Sequence, residues 1–266
     1  MHVTTAQLPD ATHSADRVFL TDDAVIVLDG ATAFIATAVD PRIYVDALGH
    51  ELISLLAGDP SADLRAVLAA AISTTANALN LRPGNAPSST VAILRSLGSS
   101  LDLLVLGDSS IILGGDPCVV ITDDRLEAIG LPVRQAYRAR LAAGHGYDDE
   151  HRRLVAALQA RQRRARNIDS GYWIAEADPA AAKHAYTRST SWAATPWAIL
   201  ATDGVSAHCT PRQWPHIAEL EQRQLSRLLR SWREWEATTD PDGQLVPRAK
   251  PHDDMALAIV HPAKHS

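Results

Sequence analysis

One short apolar run constrains the fold of this chain more than any other stretch: Ala24-Val25-Ile26-Val27-Leu28-Asp29-Gly30. Its apolar residues include β-branched valine and isoleucine, a composition that predicts a short buried strand. The strand ends in an acid and a glycine, so Asp29 is expected at the rim of a sheet. Gly30, which lacks a side chain, would let another group approach the backbone closely.

The same pattern recurs further along the chain. Residues 103–106 lead into Gly107-Asp108-Ser109, residues 197–202 lead into Asp203-Gly204, and Asp253-Asp254 precede the apolar residues 255–260. If the last strand pairs antiparallel with the strand before Asp203, then Asp203 and Asp253 share one rim. A single Asp after a strand is also typical of a turn. Four such acids in one cleft would repel each other unless a cation neutralised them.

Composition narrows the class of protein. The chain has 266 residues, of which 46% are hydrophobic and 21% charged, as in an ordinary soluble globular protein. Its net charge of -6 argues against a dedicated nucleic-acid binder. No apolar run approaches the roughly 20 residues that span a bilayer, and no signal-peptide pattern is visible. Two cysteines without metal-motif spacing favour a reducing cytoplasm, and we expect a cytoplasmic monomer.

Periodicity predicts the main elements. Residues 1–13 are expected to be polar and extended, with a first short strand at 16–20. Leucines at helical spacing predict a helix that ends near Gly58, then a second helix with Ser61 as its N-cap. A single helix is expected over about 216–235, and residues 255–260 form the last strand.

Short turns separate the predicted strands at 89–94, 101–106, 111–113 and 118–122, which favours antiparallel meanders. The Arg- and Ala-rich stretch of about 124–184 is mostly helical. Regular strand–helix alternation is missing, so a doubly wound sheet is excluded. We therefore predict an α+β fold, two packed antiparallel sheets flanked by helices (an αββα sandwich), as one domain over 1–266.

Carboxylates without paired histidines favour hard cations over zinc, because Mg²⁺ and Mn²⁺ prefer oxygen ligands. Two such ions about 4 Å apart can clamp a phosphate for in-line attack. Other phosphatase and hydrolase chemistries fit less well. A haloacid-dehalogenase-type enzyme needs Asp-x-Asp, but Ala31 follows Asp29-Gly30. A Gly-x-Ser-x-Gly elbow and a P-loop are both absent from the sequence.

The order of these motifs resembles the metal-dependent serine/threonine protein phosphatases of type 2C, in a divergent bacterial branch. The matching segments are Ala15-Asp16, Asp29-Gly30, Ser88-Ser89-Thr90-Val91-Ala92, Gly107-Asp108-Ser109, Ala201-Thr202-Asp203-Gly204 and Asp253-Asp254-Met255-Ala256. They span nearly the whole chain. The resemblance implies the αββα sandwich and hydrolysis of phosphoserine and phosphothreonine in proteins, such as substrates of a serine/threonine kinase.

The resemblance also implies two Mg²⁺ or Mn²⁺ ions, a third looser ion and a water nucleophile rather than a side chain. Asp29 would bridge both metals and Gly30 would offer its carbonyl to one. Asp203 and Asp253 would hold the other metal, Asp108 the third, and Asp16 would be a ligand through water.

Several family residues are replaced. The glycines after Asp-Gly become Ala31-Thr32-Ala33, and Ala11 stands where the family has a phosphate-binding arginine. His13 and Arg17 could replace that arginine or be surface residues at a strand start. Two further hypotheses about the function therefore stay open: a non-catalytic relative that binds a phosphorylated partner, and a phosphatase of a small phosphorylated metabolite.

An arginine-rich segment between the Gly-Asp-Ser and Ser-Asp-Gly motifs reverses the sign of an acidic chain. In the family this region carries a flap beside the metal cleft. Arginine suits phosphate or carboxylate recognition, so Arg161, Arg163 and Arg164 are predicted to recruit an acidic or phosphorylated substrate. The alternative is a solvated helix face, with its arginines paired to Asp148, Asp149 and Glu150.

Overall fold

Two five-stranded antiparallel sheets pack face to face in the computed structural model, which describes residues 1–31 and 39–263. With strands numbered along the chain, the first sheet has the order β1 (His2–Leu8), β10 (Met255–His261), β9 (Ala198–Ala201), β6 (Ser110–Leu113), β7 (Val119–Ile121). The second has the order β2 (Arg17–Leu20), β3 (Ala24–Gly30), β4 (Ser89–Leu97), β5 (Ser100–Leu106), β8 (Tyr186–Ser191). Thr32 and Ala33, two of the replaced family positions, lie outside the described residues.

Helices cover both outer faces of the sandwich. The helices are α1 (Pro41–Gly58), α2 (Leu64–Ala78), α3 (Arg125–Ala128), α4 (Leu131–Ala142), α5 (Asp149–Ala165), a 3-10 helix (Pro179–His184), α6 (Asp203–Ser206), α7 (Trp214–Ala218) and α8 (Gln222–Thr238). The first two pack on the second sheet, while α7 and α8 pack on the first. The predicted αββα arrangement is confirmed. No helix in the described ranges has the length and apolar character needed to cross a membrane.

Side chains of β3 alternate between two hydrophobic cores, one under the helices and one between the sheets. Ile26 and Leu28 pack under α1 and α2, whereas Val25 and Val27 face the opposite sheet. Because successive side chains point to opposite faces, Asp29 falls on the inter-sheet face, one step beyond Val27. Strand β3 therefore carries its acid to the rim of the interface between the sheets.

Several predicted elements differ in detail from the structure. The predicted strand at 16–20 is present as β2, but it is the second strand, since residues 2–8, which were expected to be extended, form β1 and pair along their whole length with β10. Asp63, not Ser61, caps α2 by accepting from the backbone N–H of Ala66. Both residues are good N-cap types, and only the tertiary packing of the helix distinguishes them.

The single helix expected at 216–235 is two helices. A capping box at Glu221 and Gln224 starts α8 after a break at residues 219–221. The predicted meander is also divided, because β4 and β5 lie in the second sheet while β6 and β7 lie in the first. The chain crosses between the sheets at Gly107-Asp108-Ser109, where Gly107 has a φ of +83°.

The arginine-rich region folds into a helical hairpin of α4 and α5 with a small core of its own. Tyr137, Leu141, Val155 and Leu158 form this core, and Ala249 of the long loop before β10 packs against it. His151 in α5 is buried and donates from Nε2 to the carbonyl of Ala249 at 2.9 Å. The hairpin therefore holds the loop that leads to Asp253.

A second anchor for this loop is Glu236 of α8, which is 1% exposed. Its carboxylate lies 3.0 Å from His208 Nε2, 3.1 Å from Arg233 Nε and 2.8 Å from His252 Nδ1. Arg233 also donates to the backbone carbonyl of Asp253. One buried acid thus ties helix α8 to the segment just before β10.

We predict that Glu236→Ala lowers the free energy of unfolding by about 3 kcal/mol, because it leaves buried cationic partners without their anion. For a chain of this size the melting temperature should fall by about 5 °C or more. Glu234→Ala, an exposed position on the same helix, is the matched control and should change little. Equal melting temperatures for the two variants would contradict a structural role for Glu236.

Candidate metal centre

Asp29 and Thr90 occupy opposite positions of the β3–β4 pair at the rim between the sheets. Asp16 lies one residue before β2. Because side chains alternate between the two faces of an extended chain, Asp16 lies on the same face as Val18, which packs in the inter-sheet core. The backbone N–H of Gly30 donates to the carbonyl of Ala15 at 3.2 Å. A Cβ atom at Gly30 would lie 2.8 Å from that oxygen, so glycine is required for this close approach.

Asp203 and Asp253 meet across the first sheet. Strands β9 and β10 are antiparallel, which confirms the expected shared rim. The backbone N–H of Thr202 donates to the carbonyl of Ala256 at 3.0 Å. A Cβ atom at Gly204 would lie only 2.0 Å from the backbone oxygen of Asp254. The Asp-Gly motif is therefore needed here for a tight crossing of two chain segments.

Asp108 follows β5 on the turn that crosses between the sheets. The adjoining Ser109 is buried, and its hydroxyl lies 2.5 Å from that of Thr90. This contact links the turn to the strand opposite Asp29. The short crossing thus brings Asp108 to the edge where the other acids lie.

Desolvation and the charges of neighbouring acids raise the pKa values of four of the acids, Asp16, Asp29, Asp108 and Asp203. For Asp29 the pKa rises well above its usual range, first because of burial and then because of the charges of Asp16, Asp203, Asp253 and Asp108. Burial, followed by the charge of Asp253, does the same for the pKa of Asp16. Chiefly through burial, the pKa of Asp203 reaches about 7 and that of Asp108 about 6. The acids predicted from separate motifs therefore share one electrostatic environment.

A lysine supplies positive charge to this group. Lys250 Nζ lies 2.6 Å from Asp253 Oδ1. Burial acts to lower the pKa of Lys250, but the charges of Asp253, Asp29 and Asp254 outweigh it and raise that pKa. Lys250 therefore interacts electrostatically with acids from both sheets.

The donor set fits a hard divalent cation in its chemistry. Asp16 is 2% exposed, and its Oδ2 has no hydrogen-bond partner among the described residues. A buried carboxylate oxygen without a partner is costly unless a water or a cation completes it. Within residues 1–31 and 39–263, however, no three His, Cys, Asp or Glu side chains are grouped closely enough to hold one ion as they stand. Side-chain rotation would be needed to gather them.

His13 and Arg17, the predicted substrate-binding pair, have different surroundings. Arg17 is buried and donates to Asp46 Oδ1 at 2.6 Å and to the backbone oxygens of Ser14 and Asp16. His13 is exposed and lies 2.9 Å from Asp10 Oδ1. These contacts give Arg17 a structural role in the turn that carries Asp16. Substrate contact by either residue stays a prediction.

The arginines of α5 divide into two groups. Arg152 and Arg153 pair with Asp149 and Glu150 on the same helix, as the solvated-face alternative predicts. The three arginines predicted to recruit substrate are exposed near the other end of the helix: Arg161, Arg163 and Arg164. Of these, Arg163 donates to the side-chain oxygen of Asn85 at 3.0 Å. Their role in substrate recruitment stays a prediction.

The sequence did not show the roles of three residues near the acids. Asp254 accepts from Ser14 Oγ at 2.9 Å and from the backbone N–H of Ala15 at 2.8 Å, which holds the turn before Asp16. The guanidinium of Arg134 acts to lower the pKa of Asp108. Lys250 lies in a proline-rich loop without periodicity. Only the two consecutive acids, Asp253-Asp254, indicated that a second carboxylate here has a separate structural role.

Comparisons with known proteins agree with this geometry at the level of the fold. No family model and no curated protein matches the chain. Solved structures do match along nearly the whole length. The PPM Ser-Thr phosphatase MsPP from Mycobacterium smegmatis is 16% identical, with a TM-score of 0.59, covering 98% of both chains. Stp1 from Staphylococcus aureus is 10% identical, with a TM-score of 0.61, covering 98% of this chain and 95% of its own.

The photosystem II phosphatase PBCP is also similar, with 10% identity, a TM-score of 0.63 and 99% coverage of both chains. At these identities the likeness shows the fold alone. The chain has the αββα fold of the PPM, or type 2C, serine/threonine phosphatases, in a strongly diverged sequence. The predicted resemblance to this family is confirmed at the level of the fold.

The raised pKa values predict how stability depends on pH without metal. Between the ordinary Asp value of 3.8 and about 6 for Asp108 or about 7 for Asp203, the folded chain holds protons that the unfolded chain has released. Stability should therefore fall as the pH rises through this window. In EDTA, we expect the melting temperature to decrease from about pH 5 to about pH 7.5.

Asp203→Asn should flatten this decrease, because it removes one of the titrating acids, and saturating Mn²⁺ should also reduce it. Thermal denaturation at a series of pH values measures both effects. A wild-type melting temperature in EDTA that rises across the whole window would show that these acids do not repel each other in the folded chain.

Proposed function

We propose that this protein is a metal-dependent phosphatase that hydrolyses phosphoserine and phosphothreonine in proteins at a binuclear Mg²⁺ or Mn²⁺ centre. The observation that carries the proposal is a group of acids at the rim between two sheets, of which Asp16 is buried, Asp29, Asp108 and Asp253 are half-buried and Asp203 is exposed. They come from separate motifs, and repulsion among them helps to raise the pKa values of Asp29 and Asp203, within a fold shared with PPM phosphatases. Like charges kept together at such a cost are typical of a cation site.

Each acid has a role in the proposed centre. Asp29, at the middle of the group, would bridge the two ions, with the carbonyl of Gly30 beside it. Asp203 and Asp253 would hold the second ion. Asp108 would hold a third and looser ion, and Asp16 would act through a water. When bound, the ions supply an activated water nucleophile and polarise the phosphoryl oxygens.

The protein's own residues would orient these groups. Thr90 and Ser109 hold the Asp108 turn against the strand of Asp29, and Asp254 holds the turn before Asp16. One structural neighbour supports the choice of metal, since the catalytic domain of the phosphatase PstP, 16% identical with a TM-score of 0.55, is described in complex with two manganese ions. A cytoplasmic monomer acting on substrates of a serine/threonine kinase is the setting we propose.

A non-catalytic relative that binds a phosphorylated partner is the second candidate. Two observations favour it: Ala11 replaces the expected arginine, and the ammonium group of Lys250 lies among the acids. Turnover and metal stoichiometry, measured together, separate the two functions. A phosphatase of a small phosphorylated metabolite would be recognised by turnover of such esters without turnover of phosphopeptides.

The first functional prediction is metal-dependent turnover. Mn²⁺ or Mg²⁺ should support release of phosphate from p-nitrophenyl phosphate and from phosphoserine or phosphothreonine peptides, and EDTA should abolish it. Phosphate release is measured with each metal over a range of pH. Purified folded protein that stays inert under all these conditions would remove the phosphatase proposal and favour the binding function.

A substitution tests the bridging role. Asp29→Asn removes charge from between the two ions, so turnover should fall by about 100-fold or more, as for other losses of electrostatic stabilisation at a reacting centre. Calorimetric titration with Mn²⁺ should lose at least one site. Asp22→Asn, at an exposed turn position, is the matched control. Unchanged Mn²⁺ binding by Asp29→Asn would make Asp29 a turn residue only.

The arginines of α5 give a substrate test. Replacing Arg161, Arg163 and Arg164 with Gln should raise KM for an acidic phosphopeptide and leave p-nitrophenyl phosphate turnover nearly unchanged, because the small ester needs only the metal centre. The wild-type preference should fade with salt, since exposed charges are screened over about 10 Å at 0.1 M.

Three exposed arginines of α8 provide the charge-matched control: Arg223, Arg227 and Arg230. Replacing these with Gln should leave KM for the peptide as it is in the wild type. If the α5 and α8 triple variants behave alike, recruitment by α5 is refuted and its arginines form a solvated face.

A further inference from the structure

The ammonium group of Lys250 contacts Asp253, one of the proposed metal ligands. Its Nζ is 2.6 Å from Asp253 Oδ1, and the side chains of the pair are 26% and 39% exposed. The same ammonium interacts with the charges of Asp29 and Asp254. The pair is therefore partly open to solvent, where an incoming cation could reach it.

The loop that carries Lys250 is held on both sides of this residue. On the preceding side, His151 of α5 donates to the carbonyl of Ala249. Arg248 donates to Asp240 Oδ2 at 2.6 Å and to the carbonyl of Pro251 at 2.8 Å.

On the side that follows Lys250, His252 contacts Glu236. A backbone fastened at these points keeps the base of the lysine side chain beside Asp253.

Charge balance explains why a cation would be useful here. Several carboxylates gathered at one rim repel each other, and a nearby ammonium reduces that repulsion when no metal is bound. Lysine suits this task because its ammonium is a compact charge on a flexible four-carbon stem. The head group can move away into solvent while the backbone stays in place.

We propose that Lys250 is a built-in counter-cation of the acid group and that a divalent ion must displace its ammonium from Asp253 in order to bind. The proposal rests on the metal centre of the proposed function. Both cations compete for the same carboxylate, and the two positive charges repel each other. Lys250 therefore stabilises the metal-free protein and weakens metal binding, so that a higher concentration of free metal is needed to fill the site.

Calorimetric titration with Mn²⁺ tests this competition. Lys250→Met removes the charge and keeps much of the length of the side chain. The variant should bind Mn²⁺ about tenfold more tightly, the change expected when about 1.4 kcal/mol of charge competition is removed. Lys250→Arg should stay close to the wild type. Lys183→Met, an exposed residue of the 3-10 helix, is the charge-matched control and should leave the dissociation constant unchanged.

Thermal denaturation supplies a readout that does not depend on activity. In EDTA, Lys250→Met should melt several degrees below the wild type, because the acids have lost their counter-charge. Added Mn²⁺ should raise its melting temperature by more than that of the wild type. Lys250→Gln serves as a second neutral variant if Lys250→Met folds poorly.

Other results would overturn the proposal. Equal or weaker Mn²⁺ binding by both neutral variants means that Lys250 does not compete with the metal, and absence of Mn²⁺ binding in every variant has the same consequence. Failure of the proposed function looks different. If the neutral variants bind Mn²⁺ more tightly but release no phosphate from any ester, competition is supported and the phosphatase proposal fails.

Discussion

Repulsion between carboxylates gathered at one rim is the constraint on which the rest of the structure depends. Asp29, which is half-buried, and Asp203, which is exposed, come to this rim from different sheets, and desolvation together with the charges of neighbouring acids raises their pKa values. A protein can keep such acids together only by protonating them, pairing them with a cation or binding a metal. The tight backbone crossings at Gly30 and Gly204 make sense as the means of assembling this charged rim.

The central strands could be predicted from sequence because their signals are local. An apolar run that ends in Asp-Gly identifies β3 and its acid, and the antiparallel pairing of β9 with β10 follows from the inverted order of the last motif. The N-terminal residues were expected to be extended, but the strand β1 within them was not predicted because its polar residues do not alternate clearly. Its assignment depends on pairing with β10, more than 240 residues away in sequence.

The surroundings of the acids were harder to predict for a related reason. Lys250 reaches Asp253 from a loop whose path is set by His151 and Glu236, which come from two separate helices. No short-range pattern encodes such contacts. The second acid of the Asp253-Asp254 pair likewise holds a distant turn through Ala15. Sequence identified the acids themselves, whereas the residues that hold and neutralise them required the fold.

A crystal structure of the protein soaked in Mn²⁺, with an anomalous difference map, tests the metal centre most directly. Two strong peaks are expected at the rim between the sheets, with Asp29 in contact with both and Asp253 in contact with one. The ammonium group of Lys250 is expected to have moved away from Asp253. Well-ordered crystals with the acids in place, no peak at this rim and Lys250 still on Asp253 would contradict the proposed metal centre.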